Sequence, residues 1–166
     1  MNLKPAYLVM GVSGVGKTTL GKKLAQQQQV PFFDADDFHP PTNVDKMSRG
    51  IPLQDADRWP WLARLHQLLQ TESQREGLVL ACSALKASYR QVLRGEAPPL
   101  PLRILFLEAP YPFILQRLQA RTQHFMPPSL LQSQFDTLEV PTEALRLDAR
   151  LPLPVLIEQI IAHYAH

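Results

Sequence analysis

Near the start of the chain, residues 11–18 read Gly11-Val12-Ser13-Gly14-Val15-Gly16-Lys17-Thr18, and no other segment indicates the fold so specifically. This stretch has the pattern G-x-x-x-x-G-K-T, in which glycines let the backbone approach a triphosphate and successive N–H groups form an anion nest. The pattern predicts that Lys17 reaches the β- and γ-phosphates and that the Thr18 hydroxyl ligates Mg²⁺. The following helix adds its positive amino-terminal end, so the predicted nucleotide contacts run from Gly11 to Thr19. We therefore expect the chain to bind a nucleoside triphosphate with Mg²⁺.

The residues on both sides of this loop fit the strand–loop–helix context that the motif requires. The preceding residues 6–10 form a short apolar run, which is typical of a buried parallel strand. In the following segment Leu20, Leu24 and Ala25 recur at helical spacing.

Apolar runs of strand length alternate with helical stretches along the rest of the chain. We predict strands at residues 6–10, 31–34, 78–82, 103–107 and 144–148, and helices at residues 17–28, 59–75, 85–95, 112–121, 129–138 and 153–163. This alternation predicts an α/β fold in which helices cover both faces of a parallel sheet. Because ligands of such sheets collect at the carboxyl ends of the strands, the residues that follow each strand are candidates for a site.

Composition and charge exclude several classes of protein. The chain has 166 residues, is 45% hydrophobic and 19% charged, and carries a net charge of +2 without a basic run. These values predict one globular domain, residues 1–166, with neither a nucleic-acid nor a membrane partner. The single cysteine, Cys82, is interpreted as a small buried apolar residue and excludes an internal disulfide. With no signal peptide in view, the expected location is the cytoplasm.

The second predicted strand ends in three carboxylates within four residues, Asp34, Asp36 and Asp37. Burying them together is costly unless a cation or a substrate donor is present. Asp34 and Asp36 alternate and so lie on the same side of the strand end. One of them can support Mg²⁺ while the other orients or deprotonates a substrate hydroxyl. The alternative is a solvated acidic turn that caps the next helix.

Residues 39–58 are polar, punctuated by proline and longer than a plain connection. Such a segment is typical of a binding loop. Lys46, Arg49 and Arg58 can clamp an anionic or polyhydroxylated acceptor, and His39 can donate a hydrogen bond to it. For each basic residue taken singly, an exposed surface charge is the alternative.

Two further pairs of basic residues follow the third and fourth predicted strands. Lys86 and Arg90 are four residues apart, so we expect them to share a helical face that points into the same crevice. Arg117 and Arg121 have the same spacing, and a mobile segment can bring one of them onto the transferring phosphate. Helix-surface arginines are the alternative for this second pair.

These segments together resemble the gluconokinases of the small P-loop type, which are related to shikimate kinases and nucleoside monophosphate kinases. Besides the octapeptide, the resemblance is carried by Asp34-Ala35-Asp36-Asp37-Phe38-His39-Pro40, Asn43-Val44-Asp45-Lys46-Met47, Gly50-Ile51-Pro52-Leu53, Asp57-Arg58-Trp59-Pro60-Trp61-Leu62, Cys82-Ser83-Ala84-Leu85-Lys86, Tyr89-Arg90, His124-Phe125-Met126-Pro127, Leu130-Leu131, Ser133-Gln134-Phe135 and Leu138-Glu139. They span most of the chain in the expected order, and the segments after the octapeptide are the more specific ones.

The resemblance implies ATP-dependent phosphorylation of D-gluconate on its terminal hydroxyl to give 6-phosphogluconate. It also implies a P-loop NTPase fold with a five-stranded parallel sheet, similar to nucleoside monophosphate kinases, and a homodimer. The acceptor would bind residues of about 39–75, and about 122–138 would form a lid that carries His124 as a further acceptor-binding residue.

Residue roles follow from combining this substrate with the chemistry of the side chains. Gluconate has a carboxylate at one end and the reacting hydroxyl at the other, so a basic group is expected far from the phosphates. The candidates for that group are Arg49, Arg58, Lys86 and Arg90. Asp36 is the candidate for orienting the hydroxyl, with Asp34 on the Mg²⁺ side. Lys17 and Arg121 would spread charge from the transferring phosphoryl group.

The sequence departs from the family at two places and leaves two alternatives open. Ala35 replaces the glycine that is usual between the two aspartates, and the region after Asp148 is less similar, which leaves adenine contacts near Ala149 and Arg150 undecided. One alternative is a kinase for another acceptor, shikimate or a nucleoside monophosphate. The other is a nucleotide-binding regulatory protein, which would be expected to lack a catalytic group.

Overall fold

The computed structural model describes residues 2–96, 98–121 and 128–165. Its sheet contains β1 (Ala6–Met10), β2 (Phe32–Asp34), β3 (Leu78–Ala81), β4 (Leu102–Glu108) and β5 (Leu145–Asp148). The spatial order is β2-β3-β1-β4-β5, and all four neighbouring pairs are parallel. The predicted five-stranded parallel sheet is therefore confirmed, with strand ends that differ from the prediction by no more than a residue.

The helices alternate with these strands, as the sequence predicts. They are α1 (Lys17–Gln28), α2 (Pro41–Ser48), α3 (Asp55–Ser73), α4 (Ala87–Arg94), α5 (Tyr111–Gln119), α6 (Pro128–Thr137) and α7 (Leu153–Tyr164). One turn of 3-10 helix, Ala35–Phe38, follows β2 directly.

The prediction of a continuous loop over residues 39–58 is wrong. Pro41 opens α2 at a position where its missing N–H is not needed. α3 begins at Asp55 rather than at residue 59, because the Asp57 carboxylate accepts the backbone N–H of Gln54 at 2.9 Å and caps an earlier turn. Pro60 consequently lies inside α3 and not at its start.

Both faces of the sheet are buried, which explains why β1 is a continuous apolar run. Tyr7 and Val9 pack on one side with residues of α1, α5 and α7. Leu8 and Met10 pack on the other side with residues of α3 and α4. A parallel sheet requires such a double cover, because its crossover helices lie on both faces.

The parallel arrangement also decides where polar residues meet. The phosphate loop follows β1, the 3-10 turn follows β2, and Cys82 and Ser83 follow β3. Since β1, β2 and β3 run in the same direction, these three segments lie at one edge of the sheet.

Gly77 and Gly50 provide a matched test of the backbone beside β1. Gly77 has a φ of 88°, and a Cβ there would lie 2.4 Å from the carbonyl oxygen of Pro5. Gly50 has a φ of 70°, but a Cβ there would meet nothing within 4 Å. Both substitutions to alanine incur left-handed strain of about 1–2 kcal/mol. We expect Gly77→Ala to lower the free energy of unfolding by about 1 kcal/mol more than Gly50→Ala, as measured by urea denaturation. Equal losses would contradict the clash with Pro5.

Candidate active site

A cavity of about 480 Å³ opens at the carboxyl edge of the sheet. Its lining includes Lys17 and Thr18 from the phosphate loop, Asp34 and Asp36 from the turn after β2, and Arg121 from the end of α5. Predicted catalytic and metal-binding residues that are far apart in the sequence thus share one cavity.

The loop between β1 and α1 has the conformation that the glycine pattern predicts. Gly11, Gly14 and Gly16 have φ values of 150°, 82° and 106°. A Cβ at Gly14 would lie 2.7 Å from the Leu118 side chain, and one at Gly11 would lie 2.5 Å from the Leu107 carbonyl oxygen. Glycine is therefore required here by both backbone angle and close packing.

The Lys17 ammonium is hydrogen-bonded to the phosphate loop itself. Its Nζ donates to the carbonyl oxygens of Gly11 at 2.9 Å and Val12 at 3.0 Å. Burial lowers the pKa of Lys17 to about 8, against the opposing influence of Asp36 and Asp34. An anionic ligand would reverse this effect, because a nearby negative charge favours the protonated amine.

The turn after β2 presents the two predicted carboxylates to the cavity. Asp34 Oδ1 accepts the backbone N–H of Asp36 at 3.0 Å. The carbonyl oxygen of Ala35 accepts a hydrogen bond from Trp61 Nε1 at 2.7 Å, which anchors the turn from behind. Ala35 lies in the 3-10 turn, so the helical backbone does not need the glycine that is usual at this position.

The environment of Asp36 makes it a stronger proton acceptor than an ordinary carboxylate. Partial burial in the cavity and, second, the nearby Asp34 raise the pKa of Asp36, whereas Lys17 opposes the shift. The side chain is nevertheless 83% exposed, so water within the cavity limits the size of this effect.

His39 has a defined tautomer beside Asp36. Asn43 Nδ2 donates to the Asp57 carbonyl oxygen at 2.9 Å and also meets His39 Nδ1 at 3.1 Å, so Nδ1 accepts and the proton is on Nε2. Burial and the charge of Arg58 lower the pKa of His39, which favours this neutral form. Its Nε2 lies 3.9 Å from Asp36 Oδ1, but the His39 side chain is only 4% exposed and is not among the residues that line the cavity.

Two of the predicted acceptor-binding cations form ion pairs on and beside α2. Lys46 Nζ lies 2.8 Å from Asp57 Oδ1, and this pair lowers the pKa of Asp57. Arg49 pairs with Asp45 at 3.4 Å, and both side chains are mostly exposed. Lys46 thus helps to fix α2 on α3, whereas Arg49 projects into solvent.

Two other predicted cations converge on Asp55 at the start of α3. Lys86 Nζ lies 3.1 Å from Asp55 Oδ2, and Arg58 Nη1 lies 3.7 Å from Asp55 Oδ1. The Tyr89 hydroxyl also donates to this carboxylate. The hydrogen bond from Tyr89 and then that from Lys86 lower the pKa of Asp55. The structure therefore brings Arg58 and Lys86 together, with a carboxylate between them.

Arg90 does not share this crevice with Lys86, and that part of the prediction is wrong. The Arg90 side chain is buried and donates to the carbonyl oxygens of Ala84 at 2.7 Å and Glu139 at 2.8 Å. It borders a separate cavity between α4 and residues 139–143. The reason is that the helix turns Arg90 toward unpaired carbonyl groups, which a guanidinium can satisfy together. A role for Arg90 in acceptor binding stays a prediction.

The remaining predicted residues lie around the phosphate loop. Arg117 Nη1 donates to the Val15 carbonyl oxygen at 3.4 Å, and Thr19 lines the cavity together with Arg121. His124 lies outside the described residues.

The oxygen donors in the cavity fit Mg²⁺. The Thr18 hydroxyl and the Asp34 carboxylate line the same space, and Mg²⁺ usually binds one or two such groups together with water and substrate phosphates. Within the described part of the chain, no cluster of three or more His, Cys, Asp or Glu residues could hold a metal ion alone. The site therefore fits a metal that arrives with a nucleotide.

Sequence reasoning missed several supports of this site. Asn43, Asp55 and Gln134 each make contacts between segments that are distant in the chain. No local spacing signals such contacts. In the sequence, Gln134 is part of a segment that resembles the family, but no role is predicted for it.

Comparison with known proteins places these features in a family. The family model described as shikimate kinase matches residues 13–146. The chain is 47% identical to a gluconokinase of Gluconobacter oxydans (strain 621H) over 99% of this chain and 94% of that protein. It is 43% identical to the thermosensitive gluconokinase of Escherichia coli (strain K12), over 93% and 84% of the two chains. The crystal structure of a gluconokinase from Sinorhizobium meliloti 1021 has a TM-score of 0.83 and 42% identity, and the match covers 98% of this chain and 92% of that one.

The lowered pKa of Lys17 predicts how nucleotide affinity depends on pH. Below about 8 the amine is protonated and can bind phosphate, whereas above that pH a proton must be taken up on binding. We expect the Kd for ADP to rise with pH above about 8, approaching about tenfold for each further pH unit. Isothermal titration calorimetry at pH values from about 7.5 to about 9.5, on both sides of the pKa of Lys17, measures this Kd. Lys17→Arg should bind more weakly but without this slope, because arginine stays charged. An equal slope in both proteins would contradict the assignment to Lys17.

Proposed function

The chain belongs to the gluconokinase family, and from that premise we propose that it transfers the terminal phosphoryl group of ATP to the 6-hydroxyl of D-gluconate. The observation that carries the proposal is the shared cavity. A phosphate-binding loop with Lys17, the carboxylate of Asp36 and the guanidinium-bearing Arg121 all line it. These are the groups that phosphoryl transfer to an alcohol needs.

The nucleotide would bind through the phosphate loop. The N–H groups of residues 11–19 and the amino-terminal end of α1 favour the negative charge of the phosphates. Thr18 and Asp34 would hold Mg²⁺, which when bound with ATP neutralises phosphate charge. Arg117, which lies against the loop at the Val15 carbonyl, and Arg121 are the other proposed nucleotide contacts.

The acceptor hydroxyl would be held at Asp36. A carboxylate with a raised pKa accepts a proton from the hydroxyl more readily than an ordinary one. The His39 Nε2–H, which faces Asp36, would donate to the acceptor and orient it. Asp36 is thus the proposed base, and His39 a proposed binding residue.

Lys17 and Arg121 would stabilise the charge of the phosphoryl group during transfer. Most of the catalysis in such reactions comes from positioning and electrostatic stabilisation rather than from covalent chemistry. Lys17 is preorganised by two carbonyl groups, so it needs little rearrangement to meet a phosphate oxygen.

The gluconate carboxylate would bind at the cations around Asp55. Arg58 and Lys86 both approach this residue, and each has further donors available. Arg49 and Arg90 remain the other candidates for binding the carboxylate, and Lys46 and His124 remain proposed contacts to the acceptor. Asp55 would hold Arg58 and Lys86 in position, and the gluconate carboxylate would then take its place as their partner.

Several further proposals rest on the family and on composition. We propose that residues 1–166 act as one kinase domain, with an acceptor-binding segment at about 39–75 and a lid at about 122–138. We further propose a homodimer that works in the cytoplasm, without a nucleic-acid or membrane partner. Within the described residues, no helix combines the length and apolar character needed to cross a membrane.

Release of ADP from Mg·ATP tests the acceptor directly. We expect release that depends on D-gluconate and stays near background with shikimate, AMP or no acceptor. A coupled ADP assay with the four conditions in parallel measures it. The match to a shikimate kinase family model makes shikimate the most informative control. Turnover with shikimate but not gluconate would overturn the proposed acceptor while leaving the kinase chemistry intact.

Asp36→Asn tests the proposed base. The substitution keeps the size of the side chain but cannot accept the hydroxyl proton, so we expect kcat to fall by about 100-fold or more. The Kd for ATP should change little, because the proposed contacts of Asp36 are with the acceptor. Asp37→Asn is the matched control: Asp37 lies next to Asp36 in the 3-10 turn but is not among the residues that line the cavity. Equal activities of the two variants would exclude Asp36 as the base.

A further inference from the structure

α6 makes a paired polar contact with the phosphate loop through the side chain of Gln134. Gln134 Oε1 accepts the backbone N–H of Ser13 at 2.7 Å, and Gln134 Nε2 donates to Ser13 Oγ at 2.9 Å. The two residues are 121 positions apart in the sequence. A paired contact of this kind fixes both the position and the direction of the groups that it joins.

The direction of these hydrogen bonds follows from the chemistry of the groups. A backbone N–H can only donate, so the atom that meets it must be the amide oxygen of Gln134, and the amide NH₂ then faces Ser13 Oγ. This NH₂ can only donate, so the Ser13 hydroxyl acts as the acceptor in that bond. The hydroxyl proton of Ser13 must therefore point away from Gln134.

The surroundings of Ser13 show where that proton can go. Ser13 lines the phosphate cavity, whereas Gln134 is not among the lining residues and so approaches Ser13 from outside. In residues 2–96, 98–121 and 128–165, no protein group accepts the hydroxyl proton of Ser13. The Lys17 ammonium, which lies 3.0 Å from the carbonyl oxygen of Val12, marks the adjoining space as a place for anionic oxygen.

We propose that the Ser13 hydroxyl donates a hydrogen bond to the phosphoryl group being transferred, and that Gln134 is the positioning residue that directs it there. This inference rests on the proposed kinase function. Ser13 keeps its proton throughout the reaction. The phosphoryl group leaves ADP as its bond to the acceptor oxygen forms, and the acceptor proton passes to Asp36.

Through this contact α6 would contribute to catalysis, and not only to the packing of the protein. Because the Ser13 hydroxyl accepts from the amide on the Gln134 side, its proton is directed away from Gln134, toward the cavity that Ser13 lines. The hydrogen bond to a charged oxygen would strengthen as negative charge is redistributed during transfer. Contact between α6 and the phosphate loop would thus raise kcat more than it raises nucleotide affinity.

Gln134→Glu replaces the amide donor with a second acceptor oxygen and leaves the size of the side chain nearly unchanged. A carboxylate would accept from both the N–H and the hydroxyl of Ser13, which turns the hydroxyl proton out of the cavity. We expect kcat at saturating ATP and gluconate to fall about tenfold or more, with a smaller change in the KM for ATP. Gln134→Met, which removes both polar atoms at similar length, should give an intermediate loss.

Gln132→Glu is the matched control for the added charge. Gln132 lies on the same helix, and its exposed side chain contacts Asp136 rather than the phosphate loop. We expect its kcat to stay within about twofold of the wild type, since an exposed charge at this distance is screened. Thermal unfolding of each variant identifies any loss of kcat that comes from misfolding.

A double-mutant cycle with Ser13→Ala separates positioning from a purely structural role. In the Ser13→Ala background no hydroxyl remains to redirect, so Gln134→Glu should lower kcat by less than about threefold. An undiminished effect in that background would overturn the proposal, as would a wild-type kcat in Gln134→Glu.

The wild-type rate with gluconate tests the proposed function separately. Should the wild type show no turnover with gluconate, the same variants are compared for the ratio of their affinities for ATP and ADP. A hydroxyl that contacts the terminal phosphate predicts that Ser13→Ala and Gln134→Glu each lower this ratio several-fold. An unchanged ratio would then overturn the inference.

Discussion

The ammonium of Lys17 is held between the carbonyl oxygens of Gly11 and Val12, and the rest of the site depends on this charge. It lies within a loop whose N–H groups and helix end also favour anions. Burial lowers the pKa of Lys17 to about 8. Asp34 and Asp36 partly offset that effect from the opposite side of the cavity. The site is therefore a balance of opposite charges, and a phosphate group would stabilise the protonated form of Lys17.

The same balance explains why the carboxylate turn needs support from outside the cavity. Asp34 and Asp36 repel each other, and a turn that carries both would be expected to move without an anchor. Trp61 supplies one anchor through the Ala35 carbonyl oxygen. His39 stacks on Trp61 with ring centroids 4.1 Å apart, so the proposed acceptor-binding imidazole and the turn share a support on α3.

In the proposed acceptor region, the basic side chains form ion pairs with nearby aspartates. Lys46 pairs with Asp57, and Arg58 and Lys86 approach Asp55. The pair of Lys46 connects α2 to the first turn of α3, the pair of Lys86 connects the start of α4 to the same turn, and the pair of Arg58 lies within α3. Together with the hydrogen bond from Asn43 to the Asp57 carbonyl oxygen, these pairs link the helices of the proposed acceptor segment to one another.

The sequence by itself determined the phosphate loop, the sheet and the pair of carboxylates, because each depends on residues that are adjacent or regularly spaced. The glycine pattern requires particular backbone angles, and buried parallel strands require continuous apolar runs. Helix α2 and the early start of α3 could not be predicted in this way. Prolines often mark loops, but in this segment one lies at the start of a helix and another lies inside a helix. Only the tertiary structure decided that Arg90 donates to the Glu139 carbonyl oxygen, that Asp55 meets Lys86, and that Gln134 meets Ser13. These contacts join segments that come together only when the sheet and its helices have packed, so no local pattern in the chain encodes them.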